Sequence, residues 1–184
     1  MGQTEPAFRM EINTARLRLQ LAEPSNFNSL HNFIREPRMA EAFSFPRQMD
    51  QEAFALAMEA GHFLGLFGIV DQESDEWVGT AGLYRTIHFP GWLGLLYGLK
   101  PGVRGKGYAT EAGAALLEFA FRSTDAVGVL AEVHEGNPAS RRVAEGLGMH
   151  SWHRRSGGRV ELLGLSRTAH SNQSLHFEGQ SKAG

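Results

Sequence analysis

Eight residues near the middle of the chain, Lys100-Pro101-Gly102-Val103-Arg104-Gly105-Lys106-Gly107, carry its plainest chemical signal. Three glycines fall within six positions there, so main-chain N–H groups can turn toward a common point with no Cβ in the way. Tyr108 then opens an Ala-, Leu- and Phe-rich helix, whose first N–H groups lack intrahelical partners and whose dipole presents positive charge. The combination is a cradle for an anion, suited to a phosphate or pyrophosphate. The same glycines would also serve an ordinary strand-to-helix turn that uses them for geometry alone.

Two glycine-rich phosphate patterns can be set against this stretch. A P-loop needs Gly, four residues, then Gly-Lys-Ser/Thr, but Lys100 stands where the first Gly belongs and Gly107 follows Lys106. A dinucleotide fingerprint opening at Gly105-Lys106-Gly107 would place its third glycine on Thr110, and would need the acid further along at Glu132. That reading predicts tight NAD binding and ranks last.

The elements that must position the cradle follow from periodicity. Ahead of it, Leu95 to Leu99 is an apolar strand; behind it, Thr110 to Arg122 is a helix with Leu116, Leu117, Phe119 and Ala120 on its apolar side. The alternation from Val127 to His134 predicts a strand with Val127, Val129, Ala131 and Val133 on one face and Gly128, Leu130, Glu132 and His134 on the other. Asn137-Pro138 then caps a helix that Gly148 ends.

Upstream, Ile12 to Leu21 alternates as one half-buried strand, with Leu17, Leu19 and Leu21 facing inward. Glu23-Pro24-Ser25 starts a helix carrying Phe27, Leu30, His31 and Ile34 at helical spacing, where His31 reads as packing rather than as a ligand. Residues Glu36 to Met49 read as a loop, and Asp50 caps a helix from Gln51 to Ala60 that Gly61 stops. Phe63 to Val70 and Glu76 to Tyr84 form a hairpin across the polar turn Asp71 to Asp75. A second hairpin, Ser151 to Arg155 with Val160 to Ser166, turns at Gly157-Gly158.

Composition narrows the class. The 184 residues suit a single domain over 1–184, with a core at about 10–166 and a polar, frayed tail at 167–184. The chain has no cysteine, which removes thiolate nucleophiles and Cys-based metal sites, and His170 and His176 make no convincing site, so no metal is expected. A formal net charge of −2 argues against nucleic acid as a partner. The N-terminus has no long apolar run, and no stretch approaches the roughly 20 apolar residues a membrane span requires. A cytoplasmic protein, monomer or homodimer, with no membrane partner, is the expectation.

Three segments in one order carry a family resemblance. Thr14-Ala15-Arg16-Leu17-Arg18-Leu19 is similar to a Thr-x-Arg-Leu-x-Leu opening, and Arg104-x-x-Gly107-x-Ala109 resembles the acyl-CoA pyrophosphate loop, Gln/Arg-x-x-Gly-x-Gly/Ala. The run Asn137 to Met149 resembles Asn-x-x-Ser-x-Arg-Val-x-Glu-x-Leu-Gly-Phe, with Met149 for the usual Phe. Together, across about Thr14 to Ser166, they resemble the GNAT superfamily of N-acetyltransferases, in its Rim-like branch of ribosomal-protein-alanine N-acetyltransferases.

The resemblance implies an α/β (α+β) GNAT fold: a mixed, mostly antiparallel sheet of about six to seven strands, the fourth and fifth splayed apart, with about four helices. It implies acetyl-CoA as cosubstrate, its pyrophosphate held by Arg104, Gly105, Lys106, Gly107, Tyr108 and Ala109. The pantetheine arm would pair with Tyr97, Gly98 and Leu99, with Asn137 on a pantetheine amide. Asn137 is independently a helix cap, and the two roles are compatible.

Amine acylation needs a deprotonated nitrogen and an acid near the departing sulfur. Many relatives carry Glu on the fourth strand where this chain has Gly94, and a Tyr seven residues after the Asn where it has Ala144. The resemblance therefore puts the base on Glu132, with His134 in reserve, and the acid on Ser140, whose other reading is a hydroxyl bonding the helix start. The acceptor would be a primary amine, a peptide N-terminus or a small molecule, met by Phe43, Phe45, Phe54, Phe89 and Trp92 with Arg35, Arg38 and Arg47. The alternative is a non-catalytic acyl-CoA-binding or regulatory module, motivated by Gly94 and Ala144.

Overall fold

The computed structural model describes residues 10–23, 63–154 and 159–172. The helix and loop readings between Pro24 and Gly61, the acceptor-side residues within them, and the turn at Gly157-Gly158 lie outside the described residues.

Eight strands form one sheet in the order β1-β2-β3-β4-β5-β6-β8-β7. They are β1 (Glu11–Asn13), β2 (Leu17–Leu21), β3 (Phe63–Asp71), β4 (Trp77–Arg85), β5 (Trp92–Leu99), β6 (Gly128–His134), β7 (His150–Arg154) and β8 (Val160–Ser166). Every neighbouring pair is antiparallel except β5 with β6. Parallel neighbours need a crossover, and helix α1 (Tyr108–Ser123) supplies it. A 3-10 turn (Pro101–Val103) precedes α1, and helix α2 (Pro138–Gly146) links β6 to the last hairpin. The mixed, mostly antiparallel sheet expected from the sequence is present, with one strand or two more than expected.

The extra strand comes from the N-terminal segment, which is two strands rather than one. Thr14 breaks it: its hydroxyl accepts the N–H of Leu17 at 2.9 Å, while its own N–H bonds the Leu17 carbonyl at 2.9 Å. The alternation beyond the break stands, with Leu17 and Leu19 fully buried. They join Phe67, Ile69, Ala81, Leu83 and Leu95 beneath Ala112, Leu116 and Ala120 of α1. Each fully buried Leu there contributes about 1.5–3 kcal/mol relative to exposure.

The polar tail expected from position 167 opens as helix over 167–172. Arg167 anchors it, donating to the carbonyls of Ala126 (2.9 Å), Thr124 (2.6 Å) and Phe121, a cation on the carbonyl end of α1.

The feature that positions a site is the parting of β5 from β6. They pair at Trp92 with Gly128, Leu93 with Val129 and Gly94 with Leu130, and among the described residues no pair follows. Beyond Gly94, β5 stays with β4 and β6 stays with β8. A cleft therefore opens in the sheet, with main-chain edges on both walls. These are the two strands expected to splay.

Candidate active site

The glycine cradle lies at the open end of this cleft, because β5 runs straight into it. Gly105 and Gly107 both have positive φ, 79° and 83°, a conformation that costs other L-residues about 1–2 kcal/mol. Gly107 is the N-cap of α1 and brings no side chain to its first N–H groups, so those donors face the loop with the positive end of the dipole. Arg104 folds back, its Nε donating to the Leu99 carbonyl at 3.0 Å, which ties the cradle to the end of β5.

A latch from the other end of the chain holds the cradle in shape. Arg16 donates through Nη1 to the Lys106 carbonyl at 3.0 Å and through Nε to Glu111 at 2.7 Å. The Thr14 hydroxyl and the Arg16 main-chain N–H reach the other oxygen of Glu111 at 2.6 and 2.8 Å. Burial alone would raise the Glu111 carboxyl, but these bonds outweigh it and hold it below its usual value. Its charge is thus engaged by Arg16, and an anion at the head of α1 does not face a bare carboxylate. The Arg16 guanidinium also lies 4.8 Å from the ring centre of Tyr108, whose hydroxyl donates to Asp71. That bond from Tyr108, then the N–H of Ser74, hold the Asp71 carboxyl below the usual range.

In the cleft itself, the two walls present different chemistry on the two sides of the sheet. Tyr97, opposite Ala81 on β4, packs against the core under α1. Its hydroxyl crosses to the start of α2, donating to the Ser140 carbonyl at 2.9 Å and lying 3.1 Å from Ser140 Oγ. Burial raises the Tyr97 phenol, the contact with Ser140 opposing it. Asn137 caps α2, its Oδ1 accepting the Ser140 N–H at 3.0 Å. Glu132 and His134 alternate with the core residues Ala131 and Val133, so they leave β6 on the opposite side. The buried Nε2 of His134 has no hydrogen-bond partner among the described residues.

Beside the cleft a cavity of about 400 Å³ is lined by His134, Asn137, Arg141, Arg154 and Glu161 among others. Glu161 is only 7% exposed, and it accepts from Ser151 and Arg141. The Ser151 hydroxyl first, then the Arg141 guanidinium, hold its carboxyl below the usual range. Through Arg141 this carboxylate fastens α2 to the β7–β8 hairpin. Among the described residues no three His, Asp or Glu side chains converge to hold a metal ion.

The family model of the acetyltransferase (GNAT) domain matches residues 16–150, well over half of the chain. The chain belongs to the GNAT acetyltransferase family. Solved structures agree on the fold. Spermidine N-acetyltransferase from Vibrio cholerae in complex with CoA and spermine aligns at TM-score 0.72 and 15% identity, over 85% of this chain and 98% of that one. Ribosomal-protein-S5-alanine acetyltransferase from Vibrio fischeri aligns at 0.66 and 17%, over 86% and 97%. A GNAT-family acetyltransferase from Bacillus anthracis aligns at 0.69 and 19%, over 86% and 99%. No curated protein matches the chain by sequence.

In this GNAT chain the residues singled out in sequence fall into four groups. Arg104 to Ala109 form the cradle, Tyr97 to Leu99 the β5 wall, and Asn137 with Ser140 the head of α2. Glu132 and His134 stand across the sheet from Tyr97 and Ser140. Gly94 has a steric reason: the Tyr84 ring lies on it, and a Cβ there would stand 2.1 Å from Tyr84 Cζ. Trp92 is stacked on Trp152 with centroids 4.7 Å apart, and Phe89 meets Trp152 edge-on. Sequence reasoning missed Thr14, Arg16, Glu111 and Asp71 as parts of the site. The signal was the Thr-x-Arg of the opening motif, which spacing alone could not connect to a helix some 95 positions away.

Proposed function

We propose that this GNAT chain transfers an acetyl group from acetyl-CoA to a primary amine by direct attack in a ternary complex. The observation that carries the reading is the continuity of cradle and cleft: the head of α1, with no side-chain cap and with Gly105 and Gly107 at positive φ, opens directly onto the half of β5 that has left β6. A pyrophosphate on Arg104 to Ala109 would lay the pantetheine arm along Tyr97, Gly98 and Leu99, whose main-chain edge has left β6. Asn137 would add a pantetheine contact at the head of α2.

The residues of the cleft then divide the chemistry by side. Glu132, with His134 beside it, would take the proton from the amine on one side of the sheet. Ser140, on the other, would serve the sulfur as it leaves. The C–N bond forms as the C–S bond breaks, the amine gives up one proton and the thiolate gains one. Alignment between the strands supplies most of the acceleration, for which effective concentration contributes roughly 7–11 kcal/mol.

A peptide N-terminus or a small amine with an apolar or anionic body is the acceptor this reading favours, as in the Rim-like branch. A polycation pocket would need converging carboxylates, and the floor at Gly94 is a Tyr84 ring instead. Aminoglycosides should therefore not be acetylated. Gly94 under Tyr84 and the buried Ala144 also favour a second reading, an acyl-CoA-binding module without turnover. Thiol release from acetyl-CoA over peptide N-termini, amino acids, polyamines and aminoglycosides separates the two. Turnover with peptide N-termini or small amines supports the enzyme, preference for a polycation overturns the acceptor class, and CoA binding without turnover supports the module.

A further inference from the structure

We infer that Tyr97 and Ser140 form a paired hydroxyl on one side of the β5–β6 cleft that supplies the proton to the departing thiolate, the phenol coming from β5 instead of α2. This rests on the proposed acetyl transfer and assigns its acid step. Tyr97 lies three residues past Gly94, the last β5 residue paired with β6, on the part of β5 that borders the gap. It ends at the first turn of α2, 2.9 Å from the Ser140 carbonyl and 3.1 Å from its Oγ. Position 144, one helical turn on, holds a fully buried Ala and offers no hydroxyl.

The pair is held from both ends. The Tyr97 ring packs against the core beneath α1, which fixes its reach. The Ser140 N–H is taken by Asn137 Oδ1, and the next residue, Arg141, is bonded to the buried Glu161. A buried phenol needs one partner, and the Ser140 carbonyl provides it. The second contact, hydroxyl to hydroxyl, lets Ser140 rest as a donor to the phenol oxygen and turn to a thiolate by rotation about a single bond. As the C–S bond breaks and its electron pair goes to sulfur, the proton passes from Ser140 Oγ to sulfur and from Tyr97 Oη to Ser140. The proton the amine releases returns to Tyr97 through solvent. A phenol is protonated through the neutral range and burial raises this one further, so the donor is in place before each turnover.

The test is Tyr97→Phe, which keeps the ring, beside Ser140→Ala, in the full chain. CoA affinity is measured by calorimetry, the pKa of the bound CoA thiol by thiolate ultraviolet absorbance, and thiol release with a reactive amine. Both variants should bind CoA within about twofold of the parent, raise the bound thiol's pKa and lower kcat by about a hundredfold, the lower reach of general acid catalysis. The double variant should lose no more than Ser140→Ala alone, as for residues acting as one unit. An acetyl thioester of a more acidic CoA-like thiol should recover most of the Tyr97→Phe loss. Parental kcat and thiol pKa in Tyr97→Phe would overturn the pair, as would a loss of activity matched by an equal loss of CoA affinity. If the parent releases no thiol with any amine, yet its bound thiol pKa is depressed and rises in Tyr97→Phe, the acetyl-transfer reading fails and its acid step with it, and only the contact of the pair with the sulfur stands.

Discussion

Gly94 and Glu132 sit on the same side of the sheet, and the first decides what is asked of the second. With the Tyr84 ring on Gly94, a carboxylate cannot be put back by substitution. Gly94→Glu should give no gain in turnover and should lower the melting temperature, since the ring must leave its seat. A faster enzyme from Gly94→Glu would show that the strand position was merely vacant. Glu132→Gln should cut kcat by about 10²-fold or more, the ordinary scale of a general base, and flatten the acidic limb of the pH–rate profile while CoA affinity is kept. Full activity with an unchanged profile would move the base to His134 or water. Neither the contact of Tyr84 with Gly94 nor that of Tyr97 with Ser140 was legible in sequence. Tyr84 meets Gly94 through strand register, and Tyr97 meets Ser140 across 43 positions, and spacing along the chain encodes neither.

At the scale of elements, the N-terminal hairpin and the head of α1 behave as one unit. Arg16 joins Lys106, Glu111 and Tyr108, so in the proposed site it would shape the phosphate end and leave the thioester end alone. Arg16→Met should therefore weaken CoA binding by about tenfold, the scale of one charge-assisted bond, with no effect on the KM of acetyl-pantetheine, which has no pyrophosphate. Equal losses for both donors would contradict the latch. This network, together with Glu161 between α2 and the last hairpin, gives stability a pH signature. Glu111, Glu161 and Asp71 all have folded pKa values below their unfolded ones. The stability they contribute is complete above the ordinary carboxylate pKa of about 4 and is lost as pH falls through the lower folded values. The melting temperature should hold steady down to that point and fall below it, and Glu111→Gln should flatten the fall. Among the described residues, the strands and helices from Phe63 to Ser166 were legible from periodicity, because burial on one face imposes a period of two or 3.6. The break at Thr14 was not, since a hydroxyl that bonds the backbone leaves the alternation of Leu17 and Leu19 intact.

For the whole molecule, the proposed function needs a pyrophosphate cradle and an opened sheet to form a single acyl-CoA site. The order of three motifs made the family legible, and the match to the GNAT domain over residues 16–150 agrees with it. The cradle depends on a glycine at 107, where φ is 83° and any Cβ would stand 3.4 Å from the Arg16 guanidinium. Calorimetric titration of CoA into the parent chain and into Gly107→Glu, each checked for folding by its melting transition, tests the claim most directly. The account predicts saturable binding to the parent and none to the folded variant, because a carboxylate enters the anion site on a strained backbone. Unchanged CoA affinity in a folded Gly107→Glu protein would contradict it.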